Sequence, residues 1–159
     1  TIANSGTATG FGGANTPAFM ATASAQLTLT NGASTKVQFN TEVVDTDSDY
    51  DTSNYRFTPT TAGKYNVSFS ASMETTGGVG TANYAFFKLH KNGSVIHQSY
   101  TDSSNNNTYA FGGGVTAIVD MNGSSDYLEA FVTATASSGA MKVQNTTYTM
   151  FSAFKLIGV

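Results

Sequence analysis

The sequence has no cysteine and few charged residues. Without cysteine the chain can form neither disulfides nor thiolate metal sites, and the redox compartment is left open. Only 11% of residues are charged and the net charge is −3, which argues against binding to nucleic acid or to an anionic membrane surface. No apolar run approaches the roughly 20 residues that a membrane helix needs. The polar surface is made instead from Thr, Ser, Asn and Gly, a composition common in extracellular β proteins.

The length of 159 residues indicates a single domain with one core. Residues 1–16 contain only Ile2 and Phe11 as large apolar side chains, so we interpret them as a flexible linker or the end of a fibre stalk. Residues 17–159 are predicted to form the head domain. Since the chain begins with Thr1 rather than Met, we expect it to be the C-terminal piece of a longer protein.

Strict alternation between residues 65 and 73 predicts a β-strand with one solvated face. Tyr65, Val67, Phe69, Ala71 and Met73 alternate with polar side chains, which is the two-residue period of a strand. Turn signals divide the rest of the chain into further short extended runs, and no amphipathic helix is found. The predicted strands are 19–21, 26–29, 36–44, 55–57, 63–73, 83–90, 95–100, 107–121, 127–133 and 147–157. About ten antiparallel strands at this spacing predict an all-β, two-sheet jelly-roll sandwich.

The closing segment carries apolar side chains on both faces of what must be extended backbone. These residues are Tyr148, Met150, Phe151, Phe154 and Leu156, together with Ile157. A strand that is apolar on both faces needs a second cover, and in so short a chain another copy of the same chain is the expected one.

One hairpin can be placed in register from the sequence. Asn92-Gly93 suits a two-residue type I′ turn because both residues tolerate positive φ. Counting outward pairs Lys91 with Ser94, His90 with Val95, Leu89 with Ile96 and Lys88 with His97. This register predicts that Phe87, Leu89 and Ile96 face the core and that Lys88, His90 and His97 form a basic cluster on the other face.

The basic cluster of Lys88, His90 and His97 is a candidate ligand-binding site. In the predicted register the two histidines lie about 7–8 Å apart, so they could bind zinc or an acidic sugar, although no third metal ligand is visible. The alternatives are an ordinary polar surface and a pH-sensitive contact.

Four aspartates lie at alternate positions in one loop, at Asp45, Asp47, Asp49 and Asp51. Calcium prefers several hard oxygen ligands from one flexible turn. The glycine and the distal glutamate of an EF-hand are absent. The loop is therefore interpreted either as a calcium site or as a solvated acidic turn; no other cofactor is predicted.

Three loops rich in Ser, Asn, Gly and Thr, at 75–82, 101–109 and 136–140, are candidate recognition loops. Such loops supply adaptable hydrogen bonding and flat aromatic contact area, and the alternative is that they are solvated connectors. Tyr100 and Tyr109, which flank the longest loop, are the candidate sugar-stacking residues. Asn105, Asn106 and Asn107 are the candidate polar contacts between them.

No catalytic motif was found. The run from Gly112 to Gly114 is not placed between a strand and a helix, so it indicates close backbone approach rather than a phosphate loop. Glu42, Glu74 and Glu129 lie on separate predicted strands, which gives no support for a paired-carboxylate glycosidase. The prediction is that the protein is not an enzyme.

With the strands placed, the chain resembles the globular head domain of complement component 1q, in the tumour-necrosis-factor-like jelly-roll superfamily. The matching segments, in family order, are Phe19-Met-Ala-Thr, Val37-Gln-Phe39-Asn40, Tyr50-Asp51, Tyr55-Arg-Phe57-Thr-Pro59, Gly63-Lys-Tyr65-Asn-Val-Ser-Phe69, Leu89-His-Lys-Asn92-Gly93, Gly112-Gly-Gly-Val115, Asp126-Tyr-Leu128 and Phe151-Ser-Ala-Phe154. Two departures are the Ser125-Asp126 that stands for the family's Gly-Asp and the absence of a collagen repeat.

The resemblance implies a compact homotrimer and an extracellular or virion-surface location. It implies that Tyr65 and Phe69, as well as the closing segment, lie near the threefold axis. Similar heads without collagen occur at the tips of bacteriophage fibres, where a lead-in like residues 1–16 often precedes them. We expect a receptor-binding head that attaches to a host-surface polysaccharide or outer-membrane protein, with no nucleic-acid partner and no membrane insertion. The alternatives are a structural trimerisation cap without its own ligand and a carbohydrate-binding module of an enzyme.

Overall fold

The computed structural model describes residues 16–78, 80–104 and 108–157. The predicted linker lies almost wholly outside these ranges, and its interpretation stays a prediction. Within the described residues the strands are β1 (Ala18–Thr22), β2 (Leu27–Thr28), β3 (Thr35–Lys36), β4 (Thr41–Asp45), β5 (Tyr50–Asp51), β6 (Arg56–Phe57), β7 (Gly63–Thr75), β8 (Thr81–Lys91), β9 (Ser94–Asp102), β10 (Ala110–Met121), β11 (Leu128–Ser138), β12 (Met141–Val143) and β13 (Thr149–Lys155). Two single 3₁₀ turns, Thr76–Gly78 and Thr146–Tyr148, complete these elements.

The strands form two antiparallel sheets. In the first, called the β7 sheet, the long strands run in the order β10–β7–β13–β1–β4, and β12 and β2 extend it beside β13. The second, the β8 sheet, has the order β5–β6–β11–β8–β9, with β3 also paired to β11. The predicted all-β antiparallel jelly roll is confirmed. Among the described residues, no helix has the length and apolar character needed to cross a membrane.

The core lies between the inner faces of the two sheets. On β7 the five alternating apolar residues from Tyr65 to Met73 are all buried, as predicted, and the residues between them are half-buried on the outer face. At one end an aromatic cluster fills the space, where the Phe19 ring stacks on Tyr50 and Phe57 at centroid distances of 4.7 and 4.4 Å. Phe39 and Phe151 extend this cluster, with centroids 5.6 Å apart.

The β8–β9 hairpin has the predicted turn, but the predicted register fails two residues beyond it. Asn92 and Gly93 have φ values of 52° and 80°, and His90 pairs with Val95 as expected. A β-bulge between Leu89 and His90 then pairs Leu89 with His97 and Lys88 with Gln98. The extra residue is Ile96.

The bulge reverses which face the rest of β9 presents. Ile96 is 41% exposed and is not a core residue, so that prediction is wrong. Leu89 and Phe87 are fully buried, as predicted. His97 lies opposite Leu89 rather than Lys88, and it therefore faces away from the outer surface that carries Lys88 and His90. The predicted cluster of three basic residues is not formed.

Candidate functional site

An exposed aromatic cluster lies on the outer face of the β8 sheet. Tyr84 and Phe86 on β8 stand opposite Asp102 and Tyr100 on β9. The three ring centroids are 4.9 to 5.9 Å apart, with Phe86 and Tyr100 the nearest pair. Tyr100 is 52% exposed, and the other two rings are half-buried. The three rings of Tyr84, Phe86 and Tyr100 are called the aromatic platform below.

A carboxylate is fixed at the rim of the aromatic platform. The Tyr100 hydroxyl donates a hydrogen bond to Asp102 Oδ2 at 3.1 Å, while the Ser104 hydroxyl and backbone N–H donate to Oδ1 at 2.7 and 2.9 Å. The bonds from Ser104, with that from Tyr100, hold the pKa of Asp102 below its usual range. Partial burial and the bond to Asp102 raise the pKa of Tyr100. At neutral pH the rim therefore carries an ionised acceptor beside a protonated phenol.

The start of the 101–109 loop is anchored to β8 through Ser103. This residue is buried, and its hydroxyl donates to the carbonyl oxygens of Ala82 and Asn83 at 2.9 and 3.1 Å. Its backbone N–H also donates to the Asn83 carbonyl at 2.6 Å. Asp102, the residue before this anchor, pairs with Tyr84 in the β8–β9 ladder. The anchor therefore holds Asp102 in place relative to Tyr84.

A second aromatic group on the same face is covered by charged and polar side chains. The His90 ring stacks on Phe131 with centroids 4.1 Å apart, and Lys36 Nζ lies 5.9 Å from the Phe131 centroid. Burial lowers the pKa of His90. The nearly buried Glu129 carboxylate accepts hydrogen bonds from Lys36 at 2.6 Å and from Arg56 at 3.0 Å. Burial favours a raised pKa for Glu129, but these two bonds outweigh it and the pKa is lowered.

Only part of the predicted ligand-binding set comes together on this face. Tyr100, Lys88 and His90 share it; Lys88 Nζ donates to Thr133 Oγ1 at 2.8 Å and lies 5.6 Å from the Phe86 centroid. His97 faces the other way, as described above.

The remaining members of the predicted set lie elsewhere. Tyr109 is 52% exposed, but its carbonyl accepts a hydrogen bond from Thr75 N–H, which places it beside the β7 sheet. Asn105, Asn106 and Asn107 fall outside the described residues, so their role stays a prediction.

Tyr84 and Phe86 were not among the predicted site residues. The signal was present, because these residues alternate with the buried Ala85 and Phe87 along β8. Two aromatic side chains on the solvent-facing side of a strand depart from the usual pattern, in which one face of the strand is apolar and the other is polar.

The aspartate loop uses its carboxylates within the turn. Asp45 accepts backbone N–H bonds from Asp49 and Tyr50, at 3.2 and 3.0 Å, and Asp51 accepts from Ser53 N–H at 2.8 Å. The buried Asp49 accepts from the Thr60 N–H at 3.0 Å. In the described part of the chain no three His, Asp or Glu side chains are grouped as a metal site would require.

Hydrogen bonds of this kind account for the acidic turn without an ion. Asp47 takes part in none of them. Calcium binding by Asp45, Asp47, Asp49 and Asp51 stays a prediction.

Comparison with known families identifies the fold. The model of the C1q domain family matches residues 18–156. The chain belongs to the C1q domain family. No curated protein matches the sequence.

Two solved structures illustrate the fold of this C1q domain. One is the Eiger TNF of S. frugiperda, with a TM-score of 0.64, 11% identity and coverage of 89% of this chain and 93% of that one. The other is the globular domain of the zebrafish complement 1qA protein, with a TM-score of 0.57, 15% identity and coverage of 88% and 96%. Domains of the C1q and TNF type commonly self-associate as trimers, are typically extracellular and are generally not enzymes.

The trimer-interface residues predicted for this C1q domain divide into two groups. Tyr65, Phe69 and Phe151 are at most 1% exposed within one protomer. Their side chains fill the space between the two sheets, so they cannot also cover a neighbouring subunit, and this part of the prediction is wrong.

The other predicted interface residues remain accessible. Met150 and Phe154 lie on the outer face of the β7 sheet, opposite Ser70 and Asn66 of β7. Tyr148 and Phe154 are 63% and 38% exposed, and Met150 and Leu156 are half-buried. Their contact with another subunit stays a prediction.

Two apolar patches flank the β7 sheet of the C1q domain at its opposite edges. On β10, Ile118 is 66% exposed and borders a groove of about 480 Å³, whose lining combines the apolar Ile96 of β9 with the polar or charged Lys91, His97 and Asp120. At the other edge, Val43 and Val44 of β4 are 55% and 46% exposed, and Phe154 lies two strands away on β13. Ile118 and Ile96 are called the β10 patch, and Val43 and Val44 are called the β4 patch. Phe154 lies between them.

An acid-sensitive contact ties the hairpin turn to the segment before β11. The Asp126 carboxylate forms an ion pair with Lys91 at 2.8 Å and accepts hydrogen bonds from Asn92 Nδ2 at 2.8 Å and from Asn122 N–H at 2.9 Å. The bonds from Lys91 and Asn92 lower the pKa of Asp126 to about 2.

We expect this contact to be lost at low pH. Because the folded-state pKa lies below the unfolded value of about 4, the contribution is complete above that value and disappears as the pH falls towards 2. Denaturant unfolding of wild type and Asp126→Asn from pH 7 to 2.5 should show a gap in unfolding free energy that narrows below pH 4. A gap of constant size across this range would contradict the assignment.

Proposed function

We propose that this C1q domain is the trimeric head of a fibre, of the kind found at bacteriophage fibre tips, and that it attaches to a glycan or protein on the surface of a host cell. The observation that carries the proposal is the division of the protomer into two surfaces. The β7 sheet presents apolar patches suited to assembly, and the β8 sheet presents exposed aromatic rings suited to a ligand.

The placement of the apolar patches supports a closed ring. The β10 patch and the β4 patch differ in their residues and lie at opposite edges of one sheet. A surface that is not self-complementary joins copies head to tail, and such heterologous contacts form a ring when the rotation closes. Three copies related in this way would each bury both patches.

The outer face of the β7 sheet between the patches is made of small side chains. Ser68, Ser70 and Ser72 of β7 face Thr116, Gly114 and Gly112 of β10. Short side chains let neighbouring backbones approach closely around an axis. The closing strand β13 lies inside the sheet, between β7 and β1, rather than at an edge, so Met150 and Phe154 lie near the middle of this face.

In this arrangement the aromatic platform stays accessible, because it lies on the outer face of the β8 sheet, whereas Ile118, Val43 and Val44 lie on the edge strands of the β7 sheet. Three equivalent sites on one rigid head would convert weak single-site binding into avidity. A purely structural cap has no need for solvent-exposed aromatic rings on the face that it does not use for assembly.

Attachment is tested with fluorescently labelled protein on a panel of bacterial cells. We expect the wild type to bind at least one member, and a monomeric variant such as Ile118→Asp to bind about a hundredfold more weakly through loss of avidity. Pretreatment of the cells with periodate removes glycan receptors, and proteinase K removes protein receptors. Either loss supports attachment and assigns the receptor class.

Two outcomes would overturn this function. If no cell retains the trimer, the domain is a structural cap. If the monomer binds as tightly as the trimer, the head does not act through three sites. Release of soluble saccharide from the cells would point to the second alternative, a module of a carbohydrate-active enzyme.

A further inference from the structure

Within the aromatic platform Lys88 Nζ lies 5.6 Å from the Phe86 centroid, but the Tyr100 ring is open, whereas the neighbouring aromatic group on the same face is covered. Phe131 has a histidine ring stacked on it and an ammonium group beside it. The platform rings contact one another and leave Tyr100 half exposed. Tyr100 also lies on β9, which is the edge strand of its sheet, and exposed apolar edges are a hazard that proteins usually remove. The half-exposed Tyr100 ring is therefore the part of the platform that a ligand can reach.

We infer that the aromatic platform binds a neutral hexopyranose unit of a cell-surface glycan, with the sugar ring stacked on Tyr100 beside Phe86 and its hydroxyls bonded to Asp102. This inference deepens the proposed attachment role. It rests on that role only in placing the glycan on the surface of a host cell.

The ring faces supply the stacking surface. An aromatic ring carries negative charge on its face and positive charge at its edge, and a pyranose presents a face of slightly positive C–H groups that such a ring attracts. The Phe86 and Tyr100 centroids are 4.9 Å apart and the two ring planes are tilted by 43°, so the half-exposed Tyr100 ring supplies the stacking face and Phe86 supports it from the side. Tyrosine provides this area at a low cost in side-chain entropy.

The rim carboxylate supplies the polar contact and selects against acidic sugars. Ionised Asp102 is an acceptor with capacity beyond the three bonds that it receives from Tyr100 and Ser104. Neighbouring sugar hydroxyls can donate to a carboxylate, whereas the carboxylate of a uronic or sialic acid would be repelled by it. The bonds from Ser104 and the Ser103 anchor fix Asp102 before binding, which reduces the ordering cost.

The basic residues nearby do not make the site one for an acidic sugar. His97 lies on the other face, and burial lowers the pKa of His90, so the imidazole is neutral at pH 7. Lys88 Nζ donates to Thr133 and lies beside Phe86, whereas the charged group next to the open Tyr100 ring is the Asp102 carboxylate.

The test uses the full chain on an array of neutral gluco-, galacto- and manno-oligosaccharides printed beside sialylated and uronic-acid glycans. We expect binding to neutral members. For the neutral glycan that binds best, calorimetry should give a dissociation constant about tenfold higher for Tyr100→Ala, the size expected from a lost stacking contact. Tyr100→Phe should retain most of the affinity because the ring remains. Asp102→Asn should weaken binding by removing the charge.

Tyr127→Ala is the matched control. Tyr127 precedes β11 of the same sheet, but the Arg56 guanidinium already covers its ring at 3.7 Å, so its removal should leave the dissociation constant within about twofold. Each variant must keep the wild-type mass in light scattering and the wild-type Tm, so that a change in affinity reports the site rather than the fold.

The results separate this inference from the proposed function. Binding only to acidic glycans, or equal affinity of Tyr100→Ala and wild type, would overturn the platform as the site. Attachment to cells that is protease-sensitive, with no neutral glycan bound, would leave the fibre-head function standing and overturn the platform. Neutral-glycan binding that depends on Tyr100, without attachment to any cell, would support the platform and overturn the fibre head.

Discussion

Replacing Ile118 with aspartate should dissociate the proposed trimer into folded protomers. Ile118 is 66% exposed in one protomer, so a polar residue there removes little from the protomer's own core. In the proposed ring the same side chain is buried against the β4 patch of the neighbouring subunit. Burying an isoleucine contributes about 1.5–3 kcal/mol, and burying an unpaired carboxylate instead costs more, once at each of three contacts.

Light scattering coupled to size exclusion measures the result. The mass should fall from that of three chains to that of one, 16.6 kDa, while the far-ultraviolet circular dichroism stays that of a β protein. A second variant, Val44→Asp at the other edge of the β7 sheet, should have the same effect because it lies in the complementary patch.

The control for this prediction is Tyr127→Ala, which lies outside both patches and should remain trimeric. A wild-type chain that is monomeric at micromolar concentration would refute the ring. A trimer that survives both aspartate substitutions would show that the two patches are not the interface. The two variants thus test the location of the contact as well as its existence.

The residues that sequence reasoning placed correctly are those governed by local rules. The alternation from Tyr65 to Met73 identified both the strand and its buried face, because the two-residue period of extended backbone leaves no other arrangement of five apolar side chains. The Asn92-Gly93 turn was also identified, since few other dipeptides adopt positive φ twice in succession.

The errors arose where a distant contact decided the outcome. The bulge at Leu89 shifted the pairing of β9 with β8 by one residue, and no local sequence signal near Ile96 predicts it. Phe151 and Phe154 looked alike in the sequence, yet β13 lies between β7 and β1, so Phe151 points into the core and Phe154 points out. Which of two apolar faces meets the second sheet depends on the whole topology.

The candidate site was predicted in part for the same reason. Tyr100 stood out because it borders a polar loop, but Phe86 becomes its neighbour only through the shifted hairpin pairing. In the register drawn from the turn alone, Tyr100 would not lie opposite Phe86. The same bulge therefore separates His97 from Lys88 and His90 and brings Tyr100 next to Phe86 in the aromatic platform.

The position of the bulge, close to the hairpin turn, decides the face on which most of the β9 side chains lie. A regular hairpin would place the side chain of Tyr100 on the core side of the β8 sheet and that of Ile96 beside Leu89. The extra residue turns Tyr100 outward next to Phe86 and moves Ile96 to the groove that borders Ile118. One irregularity in β9 thus contributes to both the ligand surface and the assembly surface.

The glycine run of β10 should be intolerant of substitution at one position and tolerant at the position before it. Gly113 lies opposite Ala71 of β7, and a methyl group on it would overlap the ring of Phe87. Phe87 is fully buried in the opposite sheet. Gly113→Ala should destabilise the protomer by about 2 kcal/mol, the usual cost of forcing an extra carbon into a packed core, and should lower Tm by about 6 °C.

Gly112 provides the comparison within the same strand. It lies on the outer face, where the nearest atom to an added methyl is the Ala71 carbonyl oxygen at 3.4 Å, an ordinary contact. Gly112→Ala should be neutral or slightly stabilising, because alanine loses less backbone entropy than glycine in a strand. Both substitutions are best measured in the Ile118→Asp background at fixed protomer concentration, since assembly makes Tm depend on concentration.

A third substitution identifies the cause of the loss. If the added methyl is harmful because it meets the Phe87 ring, then Phe87→Leu, although destabilising alone, should cost less when Gly113→Ala is already present. That coupling is measured by a double-mutant cycle. Equal losses for the two glycine variants, or no coupling to Phe87, would show that backbone freedom rather than the opposing ring requires glycine at this position. The expected result would instead show that glycine is required at position 113 because the Phe87 ring of β8 occupies the space that a side chain on β10 would need.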